Sequence, residues 1–192
     1  MASCLSNYTL KGIQSDCNPV LAGISEVYLG YYGDFAVSAD TTTTGTTRHT
    51  ITAFSAVSAS NKIYKYEFPK NTSSLSDTFT KDEANSVRYF THTLTLVFSR
   101  YENFKHMEVE AMGAEQLFAI VKDYNLDEDG NPQYWFVGFD GYLSADSIDS
   151  GTGASADDRN GYELSFSCTS AYMPFKIDYD KFKNDIYNPN AQ

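Results

Sequence analysis

Apolar and polar residues alternate with a period of two along much of this chain, which predicts strands with one buried face. Between Val87 and Ser99, Phe90, His92, Leu94, Leu96 and Phe98 fall on one side, and Thr91, Thr93, Thr95 and Ser99 on the other. Tyr162, Leu164, Phe166 and Cys168 alternate with Glu163, Ser165, Ser167 and Thr169 in the same way. Three pairs of strands are predicted as hairpins: Ile24–Tyr31 with Phe35–Ala39 around Tyr32-Gly33-Asp34, Ile63–Phe68 with Leu75–Thr80 around Pro69–Ser74, and Phe118–Tyr124 with Gln133–Phe139 around Asn125–Pro132. The second forms an extended arm over residues 62–80. Its Ile63, Tyr64, Tyr66, Phe68 and Phe79 put apolar side chains on both faces, more than a free arm should expose.

One segment changes period. Phe104, Met107, Ala111, Ala114 and Phe118 recur at steps of three and four, predicting an amphipathic helix over 103–116 with Asn103 as its cap. Asp40–Thr47 and Ser144–Asn160, rich in Thr, Gly, Asp and small residues, read as loops. The tail over 178–192 sets Tyr179, Phe182, Ile186 and Tyr187 among charges and reads as a docking segment. The expected fold is mainly β, antiparallel and strand-dominated with one helix, forming a single domain over 1–192.

Composition sharpens this picture. Fifteen Tyr, thirteen Phe and one Trp bring aromatics to 15% of the 192 residues, a bias toward strands and interfaces. Asp and Glu number 25 against 14 Lys and Arg, for a net charge of −11. That balance argues against proteins that wrap nucleic acid or coat anionic membranes, which need basic patches. Cys4, Cys17 and Cys168 are odd in number and lack a CxxC pair, so a reducing compartment is expected and no zinc motif is present. No signal peptide and no membrane-spanning run is read from the sequence.

Candidate chemistry is sparse. Asn125-x-Asp127-x-Asp129-Gly130 opens like an EF-hand loop, but the twelfth position, which needs a bidentate Glu, is Phe136. His49, His92 and His106 form no ligand pair. His92, on the apolar side of its strand, reads as a hydrogen-bonded core or interface histidine, and the other two as surface residues. Gly151-Thr152-Gly153 lacks the ending and helix of a phosphate loop, and there is no GxSxG elbow. No catalytic residue, metal site or cofactor is expected.

The order of parts in the second half carries a resemblance. A helix feeds Phe118–Asp123, an acidic turn, Tyr134–Tyr142, a Gly-rich loop, the Asp158-Arg159-Asn160-Gly161-Tyr162 step and a strand running to Tyr172–Phe175. This order resembles the tail-tube type proteins of tailed bacteriophages, and particularly structural proteins of phages infecting gut Bacteroidales, including the crAss-like group. The resemblance implies an antiparallel β-sandwich or barrel with one flanking helix, and a virion structural protein assembled in the host cytoplasm and resident in the tail. It implies a homo-oligomeric ring, six-fold or twelve-fold, whose sheets join into a channel for DNA ejection. Its partners would be other tail or connector proteins, with passive contact to double-stranded DNA and none to membrane. Ile63, Tyr64, Tyr66, Phe68, Phe79 and Tyr187 are the expected subunit-interface residues. A host- or carbohydrate-binding β-sandwich, stacking sugars on exposed Tyr and Trp135, is the alternative reading.

Overall fold

The computed structural model describes residues 20–41, 49–127, 129–155 and 157–186. Eleven strands and two helical segments occur among them, in the order β1 (Ile24–Tyr31), β2 (Phe35–Asp40), β3 (Thr50–Ala56), β4 (Tyr64–Glu67), β5 (Ser74–Asp82), β6 (Val87–Ser99), α1 (Asn103–Ala114), β7 (Leu117–Leu126), β8 (Pro132–Val137), β9 (Ser144–Gly151), β10 (Gly161–Ser170), β11 (Phe175–Ile177) and α2 (Tyr179–Lys181), which runs on as a π-turn over Phe182–Ile186. They build a seven-stranded sheet, β2-β3-β11-β8-β7-β1-β4, and a four-stranded sheet, β5-β6-β10-β9. Every strand pairing is antiparallel except β11 with β3, joined at Lys176 and Thr50. The mainly β sandwich with a flanking helix expected from the sequence is therefore what the chain forms.

The larger sheet is buried on both faces, which is why Leu117–Val121 is apolar without interruption. Val27, Leu29, Ala119, Val121 and Val137 face the smaller sheet and meet Leu94, Leu96, Leu164 and Phe166 in a mainly aliphatic core. Tyr28, Phe118, Ile120, Tyr134 and Phe136 face the other way, into a second, aromatic core. The sheet curls around that second core. Phe35 of β2 and Phe54 of β3 touch Phe118 of β7, with ring centres 5.5 and 5.9 Å apart, although three strands lie between β2 and β7. The C-terminal segment closes the mouth, with Phe182 stacked 3.9 Å from Tyr134 and edge-on to Tyr28.

Several expectations are corrected here. β1 and β2 are not a hairpin: the turn at Gly33 is tight, but β1 pairs with β4 and β7, and β2 with β3. The arm over 62–80 does not form either, because β4 is an edge of the large sheet and β5 an edge of the small one. Pro69–Ser74 is a crossover between layers. The real arm is β5–β6, whose strands run past the last β10 pairing at Phe90 to a turn at Glu83–Ser86. Ser144–Gly151, expected as loop, is strand β9. The predicted hairpin around Asn125–Pro132 is present, with β7 paired to β8.

The helix forms where predicted, ending at Ala114, but with the opposite face inward. Val109 and Met112 are its buried residues, while Phe104 and Met107 are 69% and 64% exposed. Glu102, not Asn103, occupies the cap position, and its side chain makes no cap hydrogen bond. α1 lies beside β9 and β4: Gly113 sits against Ile148, and the Tyr66 hydroxyl donates to Glu108 Oε2 at 2.9 Å. This lateral position leaves only one narrow side of the helix in contact with the sandwich.

Candidate subunit interface

The predicted interface residues separate into three groups. Ile63 and Phe68 are buried in the protomer's own cores, Phe68 with its ring 5.1 Å from Phe98. Tyr66 is half-buried, and burial together with its hydrogen bond to Glu108 raises the phenol well above its usual range. These three hold the protomer together. Tyr64 is exposed on edge strand β4, 6.4 Å from Tyr31, and Phe79 is exposed on edge strand β5, 5.1 Å from Phe90. Tyr187 lies outside the described residues. The remainder of the tail's apolar set, Tyr179, Phe182 and Ile186, packs on its own aromatic core.

The small sheet presents the more organised surface. Its register places Ser74, Ser76 and Thr78 of β5 opposite Thr95, Thr93 and Thr91 of β6, which in turn face Ser165, Ser167 and Thr169 of β10. Ser147 and Asp149 of β9 continue the rows beside Ser165 and Glu163. This outward face is therefore a tile of hydroxyls with carboxylates at one end, and the basic residues of its strands, Lys81 and Arg88, alternate onto the opposite side. Arg159, from the preceding loop, ion-pairs with Glu163. The tile ends on β5 and β9, strands of nine and eight residues, each paired on one side only. Alternating antiparallel neighbours make these two edges run in opposite directions.

An aromatic-lined cleft of about 360 Å³ lies under the β5–β6 arm, bounded by Phe79, Arg88, Phe90, Tyr172 and Met173. Two rows above it, His92 is buried as expected. Its Nδ1 is 2.6 Å from Asp77 Oδ1 and its Nε2 is 3.0 Å from the Tyr172 carbonyl. No local pattern points to this Asp77 partner, because it arrives through the pairing of β5 with β6 and not with the strand before it.

The remaining chemical candidates resolve into structural roles. Asp127 Oδ1 accepts the backbone amides of Asp129 and Asn131 at 3.1 and 2.9 Å, and Lys176 approaches its other oxygen at 3.5 Å, so the acidic turn closes on itself. Those amides, with the Lys176 ammonium, hold the Asp127 carboxyl below its usual range. In the Gly151–Asn160 loop, Asp158 accepts the amides of Ala154 and Ser155, the kind of donors a phosphate would require. Burial pushes the Cys168 thiol up to about 12, which removes it as a nucleophile at neutral pH. His106 packs edge-on against Tyr101 and Tyr162 rather than standing in solvent. The Trp135 indole N–H donates to Asp123 Oδ2 at 3.1 Å, and the ring packs on the aliphatic core, leaving it poorly placed to stack on a sugar. Among the described residues, no three His, Cys, Asp or Glu side chains are grouped to hold a metal ion, and no helix is long and apolar enough to cross a membrane.

No family model, curated protein or solved structure matches this chain.

Proposed function

We propose that this chain is a virion structural protein, a tail-tube-like or head-to-tail ring subunit that oligomerises into a channel for genome passage. The observation that carries the reading is the four-stranded sheet with two open, oppositely directed edges and an outward face of hydroxyls and carboxylates. A copy placed beside another by rotation sets β9 antiparallel to the next β5, so the sheet continues from subunit to subunit through a heterologous contact that closes as a ring. Open edges of this length otherwise invite uncontrolled pairing. A lumen faced by that tile offers DNA phosphates no cations to grip, which keeps transit unhindered. In this reading the protein performs no catalysis, is assembled in the host cytoplasm, and works beside other tail or connector proteins.

Negative-stain electron microscopy with light scattering on the purified chain tests this. Rings or tubes with a hole wider than duplex DNA are expected. A monomer that persists at high concentration, alone and with cross-linker, overturns the reading. A second reading, a carbohydrate- or host-binding module, draws on the exposed tyrosines Tyr31, Tyr32, Tyr64 and Tyr142, which meet as two edge-on pairs, Tyr31 with Tyr64 and Tyr32 with Tyr142. Binding to a glycan panel, abolished by Tyr32→Ala, would support that module instead.

A further inference from the structure

The two open edges of the small sheet are not level. β5 lies alongside Val87–Thr95 of β6, whereas β9, traced through β10, lies level with Thr93–Ser99. Two copies placed side by side without a shift would overlap along only three residues. Sliding one copy along the strand direction restores full pairing, and only an even number of residues keeps the core-facing and outward sides continuous, because a one-residue slip inverts every side chain.

Offsets of four and six differ in what they bring together. An offset of four sets the Asp77 carboxylate opposite Ile148, an apolar side chain 42% exposed at the edge of β9. An offset of six covers β9 from end to end and sets Phe79, itself 53% exposed, opposite Ile148. The same offset brings Lys81 to the bulge where Asp146 is the unpaired extra residue of β9. It places Asp77 beside Ser150 and Asp149 beside Thr78, so no two like charges face each other. Both exposed apolar residues of the edges are then covered, and the one basic residue of β5 meets an acid.

We infer that neighbouring copies join β9 to β5 with a six-residue stagger that pairs Ile148 of one copy with Phe79 of the next. This inference rests on the ring reading above and specifies its seam. The geometry agrees with closure. Six residues at about 3.3 Å each advance about 20 Å over four strands spaced about 4.8 Å, a strand tilt near 45°. Closed barrels tilt their strands by about 35–45°. A six-fold ring of such sheets would measure about 50 Å across its backbone, leaving room for duplex DNA after side chains are counted.

The test is oxidative cross-linking of the full-length chain carrying Phe79→Cys and Ile148→Cys, with Cys4 and Cys17 changed to Ser so that only the new thiols report, and with circular dichroism confirming that the fold is intact. Under mild oxidation the double variant is expected to give a ladder of covalent multimers on non-reducing gels. Mixing the two single variants is expected to give dimers that neither gives alone. The Phe79→Cys/Ala145→Cys pair, which reports the four-residue offset, is expected to stay at least ten-fold weaker. Rings seen by microscopy without the Phe79–Ile148 ladder, or with a stronger Phe79–Ala145 ladder, overturn this register and leave the ring reading standing. A chain that neither assembles nor cross-links with either pair overturns both.

Discussion

Asp77 on edge strand β5 and His92 on β6 lie directly across from each other, their side chains joined at 2.6 Å with the imidazole buried. The second ring nitrogen faces the Tyr172 carbonyl. Both partners accept, so both are satisfied together when the ring donates from both nitrogens. The pair fastens the edge strand to the sandwich and to the turn before β11. Asp77→Ala is expected to cost about 2–3 kcal/mol in urea unfolding, because it leaves a buried polar nitrogen without its partner. A loss below about 0.5 kcal/mol would show that the contact does not hold β5 in place.

Gly161 opens β10 with φ near 154°, and a Cβ there would lie 2.0 Å from the Phe98 carbonyl oxygen. The neighbouring Asn160 locks the same corner, its carboxamide oxygen accepting the Tyr101 amide at 2.7 Å. Gly161→Ala must therefore push the β6 and β10 backbones apart. A loss of about 3 kcal/mol is expected, larger than that of an alanine at Gly33, where the positive φ strains the backbone but no atom stands close. Equal melting temperatures for the two variants would contradict the close approach.

Glu26 is partly buried, which alone would raise its carboxyl. The Tyr28 hydroxyl at 2.5 Å, Lys122 at 3.0 Å and Lys65 at 3.4 Å outweigh burial and hold it below the usual carboxylate range. A carboxyl depressed in the folded state stabilises the fold above its unfolded value, near 4.5, and that contribution is lost as pH falls through the lower folded value. Glu26→Gln is expected to lower stability at pH 7 by about 1 kcal/mol, and to flatten the acid limb of a stability–pH curve. An acid limb unchanged by the substitution would assign it to other carboxyls.

The orientation of α1 separates two substitutions that look alike in sequence. Met107→Ala removes an exposed side chain and is expected to change stability by less than about 0.5 kcal/mol. Met112→Ala opens a gap against the aliphatic core and is expected to cost about 2–4 kcal/mol. The reverse order would place the 104–107–111–114 stripe inward after all.

The sequence was most readable where a strand buries one face, and β6 and β10 show that alternation along their whole length. β9 was hidden because its apolar residues are few, Ala145 and Ile148; pairing to β10 makes it a strand, and its own pattern does not. Two of the three predicted hairpins do not form, because β1 and β2, and β4 and β5, are neighbours in sequence that pair elsewhere in space. The six residues after Phe68 were long enough to change layers, which moved Ile63 and Phe68 from a supposed arm into the cores. The helix failed differently: its longest apolar stripe is the one turned away from the sandwich. Of the candidate interface, Phe79 was legible only as one of the apolar residues of the 62–80 segment, alongside Ile63 and Phe68 that belong to the cores, whereas Ile148 and the stagger between the edges depend on long-range register that no local pattern encodes.

The curled sheet also imposes an order on synthesis. Its aromatic core is completed by Phe175, Ile177 and Phe182, and β11 bridges β3 across more than a hundred residues of chain. The β5–β6 and β7–β8 hairpins can pair as soon as they emerge, since their partners are neighbours. The cluster around Phe118 and Phe136 must wait with its rings uncovered until the residues after Pro174 leave the ribosome. A nascent chain stalled before Phe175 is thus a sticky species with one finished core and one open one, the state in which a chaperone would find the most to hold.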